Sequence, residues 1–284
     1  MHLALGDHRV DVTHRPLVMG ILNRTKDSFF DQGRFWDFDR FLAQADELVS
    51  QGADVLDVGG VKAGPGPEIG EAEELDRVVP TIVALRRRFD VPLSVDTWRA
   101  TVLDEAARAG AVIGNDISGF GDPAYVGVAA AAGITVVATH IRLQPRVPDP
   151  EPHYGDLMGD VTAFLLDRAT RAEKAGLSPE HIVLDAGLDL GKTWEQSLVL
   201  LRASRHFAGL GYPLLLSASN KTFLGRFLDL EIDQRGEASL AAGALGAVLG
   251  CRVLRVHDVR GHVRVAQVVA ALSQAAAAGA GVTT

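Results

Sequence analysis

Three observations predict an α/β fold, a (β/α)8 TIM barrel with an N-terminal β-hairpin. First, eight short apolar runs alternate with eight helix-like stretches. Such alternation implies parallel strands joined by helical crossovers, and eight units close naturally into a barrel. Second, polar residues repeatedly end the apolar runs, as in VLDVGG, LSVDT, IGND, VLDAG and LRVHD. Parallel α/β proteins build sites from strand tips in this way. Third, 284 residues that are 47% hydrophobic can fill a large core, and α/β barrels use this length as one domain. A doubly wound open sheet is the alternative architecture. A single domain over residues 1–284 follows, with its core at 16–274 and a frayed Ala/Gly-rich tail at 275–284.

The elements follow in chain order. Residues 2–13 alternate around Gly6-Asp7 as a hairpin that would plug the N-terminal end of the barrel. Strand-like runs lie at Leu17–Asn23, Asp54–Gly59, Leu93–Asp96, Val112–Asn115, Thr135–His140, Ile182–Asp185, Leu214–Ser217 and Val253–His257. Helical stretches follow each in turn, at about 38–51, 72–89, 98–109, 123–132, 158–176, 194–208, 237–249 and 261–274. Two connections, Asn23–Trp36 and Gly60–Glu71, are long for this architecture, a length usual for functional or disordered loops. A third, the Pro-rich Arg142–Leu157, is too polar for core and reads as rim.

Composition narrows the function. A net charge of −8 argues against a nucleic-acid surface. The lone Cys251, inside VLGCRVL, excludes an internal disulfide framework and a cysteine zinc site and reads as a packed thiol. No apolar run of about 18 residues suggests a membrane span, and no signal-peptide core opens the chain, so the cytoplasm is the expected location.

The tips carry the chemistry. Asp96, Asn115 and Asp185 suit a flat heterocycle rich in N–H donors, because a carboxylate accepts parallel N–H bonds from an amidine-like edge. Lys221 would donate to a ring carbonyl, and Arg255 offers a planar cation that can stack on the ring. Asn23, Arg255 and His257 form a second group suited to a phosphate, with or without Mg²⁺. Several of these residues also have structural readings. Asp57, ahead of two glycines, is either a tip group or a turn holder, and Asp116 either caps a helix or braces Asn115. His257 has the alternative of a hydrogen-bonded core histidine. Lys192 in DLGKT lacks the Walker A spacing, so GKT marks a helix start. His140 ends its run without a legible role.

The run MGILNRTKDSFFDQGRF resembles the first-strand signature of dihydropteroate synthases, MGILNxTPDSFxDGG. GADVLDVGG, LSVDT, GNDISG, VLDAGLDLGK, SASNK and RVHD are similar to the remaining strand tips of that family, in order, over residues 16–272. The resemblance implies a barrel that condenses 6-hydroxymethyl-7,8-dihydropterin diphosphate with p-aminobenzoate, giving 7,8-dihydropteroate and diphosphate. It implies that Asp96, Asn115, Asp185, Lys221 and Arg255 hold the pterin and that Asn23, Arg255, His257 and Lys221 form the catalytic set. Asn23 would touch Mg²⁺. Ser219, Leu190 and Pro65 fall on the p-aminobenzoate side, with Ser219 near a helix N-terminus that favours an anion. A homodimer through late helices is also implied, and EASLAAGALGAVL at 237–249 is too apolar for a fully solvated helix.

The departures lie on one side of the site. Where the family reads GGESTRPGA, this chain reads Gly59-Gly60-Val61-Lys62-Ala63-Gly64-Pro65-Gly66-Pro67. The family's Pro is Lys26, its Ser-Arg-Lys is Ser219-Asn220-Lys221, and its aromatic in the sixth motif is Leu190. Divergent paralogues, poor or inactive as synthases, share a VKAGPG-type loop. Besides a working synthase, the alternatives are a pterin-binding paralogue with little synthase activity or another amine, and a relative that moves a methyl group from a folate. The DSF and RVHD motifs favour the synthase branch over the last.

Overall fold

The eight apolar runs lie side by side in chain order and close on themselves. The computed structural model describes residues 1–24, 34–61, 64 and 68–279. A two-stranded antiparallel hairpin, β1 (His2–Leu5) and β2 (His8–Asp11), leads into the barrel. The barrel strands are β3 (Leu17–Asn23), β4 (Val55–Gly59), β5 (Leu93–Asp96), β6 (Ile113–Asp116), β7 (Thr135–Thr139), β8 (Ile182–Asp185), β9 (Leu214–Leu216) and β10 (Cys251–Val256). All pair in parallel, and β10 pairs with β3 as well as β9, which closes the sheet and overturns the doubly wound alternative.

The helices between them are α1 (Arg34–Ser50), α2 (Glu71–Arg88), α3 (Ala100–Arg108), α4 (Tyr125–Ala132), α5 (Leu157–Lys174), α6 (Trp194–Arg202), α7 (Ser204–Ala208), α8 (Thr222–Leu228), α9 (Gly236–Val248) and α10 (Val259–Gly279). Three differ from expectation. The stretch 194–208 breaks at Ala203 into two helices. The short α8 was not foreseen, because seven residues give too few turns for a periodic signal. The tail expected to fray from 275 instead continues α10 to Gly279, since its alanines are strong helix formers. Thr193 starts α6 with a reciprocal capping box to Gln196, as GKT suggested.

Each barrel strand is buried on both faces, and the faces differ. Outward residues such as Val18, Leu56, Val95, Val136, Leu184 and Leu254 pack against the helices. Inward residues Leu17, Met19, Val55, Ile113, Val137, Val183, Leu215 and Val253 form a second cluster with Leu3, Leu5 and Val12 of the hairpin region. The hairpin therefore covers the N-terminal end of the barrel, where Thr135 Oγ1 donates to the Ala4 carbonyl at 2.6 Å. Two residues further along, the inward face turns polar in most of the strands or just beyond them, at Asp57, Asn115, Thr139, Asp185, Ser217 and Arg255, while β3 keeps the apolar Ile21. The apolar floor is thus set by the same period that builds the polar mouth.

Candidate active site

Register brings the polar tips together. Asp96 lies opposite Asn115, Thr139 opposite Asp185, and Ile21 opposite Asp57 in the ladders. The mouth is centred on Arg255, whose Nε donates to Asp57 Oδ2 at 2.6 Å and whose Nη2 donates to Asp96 Oδ2 at 2.7 Å. Asp57 Oδ2 also accepts from Asn115 Nδ2 at 3.1 Å. Asp57 is fully buried and is not a turn holder. It commits the Asn115 amide nitrogen and leaves the amide oxygen as the acceptor for a ligand.

One guanidinium between two carboxylates leaves one negative charge without a full partner. Burial pushes Asp96 up to about 7, Arg255 pulls it down, and the Asp57 charge adds to the rise. Burial by itself would lower Arg255, but Asp57 and Asp96 hold it above its ordinary value. Asp185 is raised by burial. Its Oδ1 accepts the Gly187 N–H at 2.8 Å and its Oδ2 faces Thr139 Oγ1 at 3.5 Å, so one oxygen is already engaged by its own loop. Gly187, at φ +66°, has no room for a side chain: a Cβ there would sit 1.9 Å from the His140 carbonyl oxygen. Lys221, lowered by burial, reaches back to the Leu188 carbonyl at 3.1 Å.

Asn23 ends β3 exposed at the rim, beside Gly59. A Cβ at Gly59 would lie 3.2 Å from Asn23 Oδ1 and 3.6 Å from Asp96 Cβ, so glycine keeps these two tips close. His257 follows β10, with Nδ1 3.1 Å from Ser219 Oγ. The packed rim desolvates His257, and with Arg255 and Lys221 this lowers it to about 4. More than a third of the residue is open to solvent, so the two cations are the firmer cause. Ser219 thus stands against His257, one of the residues that the sequence suggested for a phosphate.

The residues that the resemblance assigns to the amine side, and their neighbours, make contacts of their own. Asn220, at φ +58°, turns toward α9: its N–H donates to Ser239 Oγ at 3.0 Å, and its carbonyl accepts from Arg235 Nη1 at 3.1 Å. The Asp189 carboxylate accepts the Phe223 N–H at 3.1 and 3.2 Å and so caps α8, where Lys221 at the N-cap provides no cap. Leu190 is half-buried in the same loop. Pro65, Lys26 and Lys62 lie outside the described residues. Both stems of the β4–α2 loop are held: Arg77 Nη1 donates to the Gly60 carbonyl and Arg99 Nη2 to the Ile69 carbonyl, each at 2.8 Å, with Arg99 paired to buried Glu74.

Sequence reasoning missed three supporting groups. Asp57 shares a face with Val55 and Gly59, and that parity was the available signal. Lys192 is buried, with Nζ 2.8 Å from His140 Nδ1, 3.3 Å from the His140 carbonyl and 3.0 Å from the Leu190 carbonyl. Burial lowers Lys192 to about 7, while three acceptors favour its ammonium form. His140, lowered to about 3 by burial and then by Lys192, is the neutral acceptor. Nothing local in the sequence joins residues 52 positions apart. Asp116 braces its own loop, accepting from Ser118 N at 2.6 Å and Phe120 N at 2.7 Å, and does not brace Asn115.

Residues 19–257 match the family described as pterin binding enzyme. The chain is similar to dihydropteroate synthase of Bacillus subtilis (strain 168), 41% identical over 260 residues that cover 91% of this chain and 89% of the relative. It is also similar to a Mycobacterium leprae (strain TN) protein named inactive dihydropteroate synthase 2, 41% identical over 91% of each chain. Among solved structures, Yersinia pestis dihydropteroate synthase in a sulfonamide drug complex superposes with a TM-score of 0.89 at 39% identity, covering 97% of this chain and 100% of that one.

Proposed function

The chain belongs to the pterin-binding enzyme family of the dihydropteroate synthases, and from that we propose that its barrel mouth condenses 6-hydroxymethyl-7,8-dihydropterin diphosphate with p-aminobenzoate. One observation carries the reading. Asp96, the Asn115 amide oxygen and Asp185 offer acceptors at adjoining tips, with Arg255 and Lys221 as cations beside them. That array matches a flat ring with an N–H-rich edge and one carbonyl. Arg255 is held in plane by Asp57 and Asp96, ready for ring stacking.

The reaction is substitution at the pterin methylene. The amine nitrogen forms a bond to that carbon, the carbon–oxygen bond to diphosphate breaks, and the amine proton leaves to solvent. Arg255 and the His257 ring stand where charge grows on the leaving group. Mg²⁺ fits as an ion shared with the substrate: Asn23 supplies one exposed hard oxygen, and among the described residues no cluster of three His, Cys, Asp or Glu would hold an ion by itself. When bound, such an ion would offset charge on the diphosphate.

A second reading has its own support. Asn220 is turned away from the mouth, Asp189 already caps α8, and a relative at 41% identity is named inactive. In this reading the pterin grip is kept and the amine partner is held weakly or is a different amine. Coupled measurement of diphosphate release, with and without p-aminobenzoate, separates the two. Release that needs p-aminobenzoate supports the synthase reading, whereas pterin binding without release supports the second. Absence of pterin binding would sink both. Installing Ser-Thr-Arg at 62–64 with Asn220→Arg should then raise a slow rate at least about tenfold, since one charge-assisted contact to a leaving diphosphate is worth about 2–4 kcal/mol.

A homodimer through the outer face of α9 and α10 also belongs to this proposal. Leu245, Val248, Val268 and Leu272 stand exposed there. No helix among the described residues is long and apolar enough to cross a membrane.

A further inference from the structure

We infer that Ser219 acts on the leaving-group side, as a positioning residue whose hydroxyl fixes the tautomer of His257 so that Nε2–H is presented to the barrel mouth. The inference rests on the proposed placement of the diphosphate beside His257 and departs from the role the family resemblance gives Ser219.

The geometry is a two-way exchange between two residues. Ser219 Oγ accepts the backbone N–H of His257 at 3.2 Å and lies 3.1 Å from Nδ1 of the same residue. A hydroxyl has a single proton and can accept while it donates. Ser219 is 8% exposed, and among the described residues Nδ1 is the acceptor within reach of that proton. If Nδ1 carried a proton, Oγ would receive two N–H groups, and its own proton would be left in a buried site without an acceptor. The imidazolium would create the same conflict, and it is further opposed by Arg255 and Lys221, which help lower the ring to about 4. The consistent state is a neutral ring with Nδ1 bare and Nε2 protonated.

The consequence is chemical. His257 is exposed at the mouth, so its outer edge is open to a ligand. With the proton on Nε2 that edge donates to an anionic oxygen, whereas the other tautomer would aim a lone pair at the same oxygen. Ser219 has its proton committed to Nδ1 and a lone pair committed to the backbone N–H. It has no proton left for the carboxylate of an amine substrate.

The test is nitrogen NMR on protein labelled with [15N]histidine, with the His257 signals identified by their loss in His257→Gln. In the native chain at neutral pH, Nε2 should resonate as a protonated nitrogen and Nδ1 as a bare one. Ser219→Ala should average the two nitrogens, and Ser219→Thr should restore the native pattern. Titration with inorganic diphosphate should show binding weakened roughly 2- to 12-fold in Ser219→Ala, the range of one ordinary hydrogen bond. The inference is overturned if native His257 carries its proton on Nδ1, if Ser219→Ala keeps the native pattern, or if that variant loses p-aminobenzoate binding while diphosphate binding is unchanged. Failure of the underlying reading would look different: the native chain would bind no diphosphate, while the nitrogen pattern would still report on Ser219.

Discussion

Replacing Asp57 with asparagine removes the group on which the mouth is hung. Asp57 is fully buried, its Oδ2 accepts from both Arg255 and Asn115, and among the described residues its Oδ1 has no partner. To keep both bonds, the new amide must leave its oxygen at the Oδ2 position. Its NH₂ then occupies the orphaned position, a buried donor with no acceptor, at about 1–3 kcal/mol. The bond to Arg255 also loses its charge on the acceptor, a further ~1 kcal/mol. Arg255 keeps Asp96, so the total is about 2–4 kcal/mol, near the low end of the roughly 3–5 kcal/mol for breaking a buried pair. That is roughly 30- to 700-fold in the folding equilibrium. Urea unfolding followed by circular dichroism should show a lower midpoint with an unchanged slope. Calorimetric titration with the pterin should show binding weakened by about tenfold or more, because an uncharged acceptor holds Arg255 and the Asn115 amide less firmly. An unchanged midpoint would refute the energetic argument. Lost stability with pterin affinity intact would refute the claim that Asp57 positions Arg255 and Asn115.

Three further outcomes follow from the same geometry. Asp185→Asn should weaken pterin binding by roughly 10- to 100-fold, since a charged acceptor becomes an amide that presents a donor to a donor; unchanged affinity in the same titration would remove Asp185 from the site. Asp96 is raised from 3.8 to about 7 in the free chain, and N–H donors from a pterin would favour its charged form. Binding should therefore release protons below about pH 7, with affinity climbing as pH rises toward 7 and levelling above it; heats that do not vary with buffer at pH 6 would contradict this. Val248→Lys with Leu272→Lys should shift the light-scattering mass toward the 30.2 kDa monomer, and a native chain already at that mass would refute the dimer.

Much of this protein is written in its sequence because much of it is local. Most strands are runs of apolar residues that end at a polar tip, and several helices carry a 3.6-residue rhythm or a capping signal such as Thr193 with Gln196. These short-range features, with the order of the motifs, are enough for the barrel class, the hairpin and the positions of Asn23, Asp96, Asn115, Asp185, Lys221 and Arg255. What the tertiary structure decided are the relations among tips. Parity puts Asp57 on one face with Val55 and Gly59, but in a strand buried on both faces nothing local shows that this face meets Arg255, 198 positions away. The same holds for Lys192 against His140, for Asp189 capping α8, and for Ser219 against His257. Closure of β10 onto β3 creates the shared mouth, and only there do desolvation and neighbouring charge set which of these side chains carries a proton.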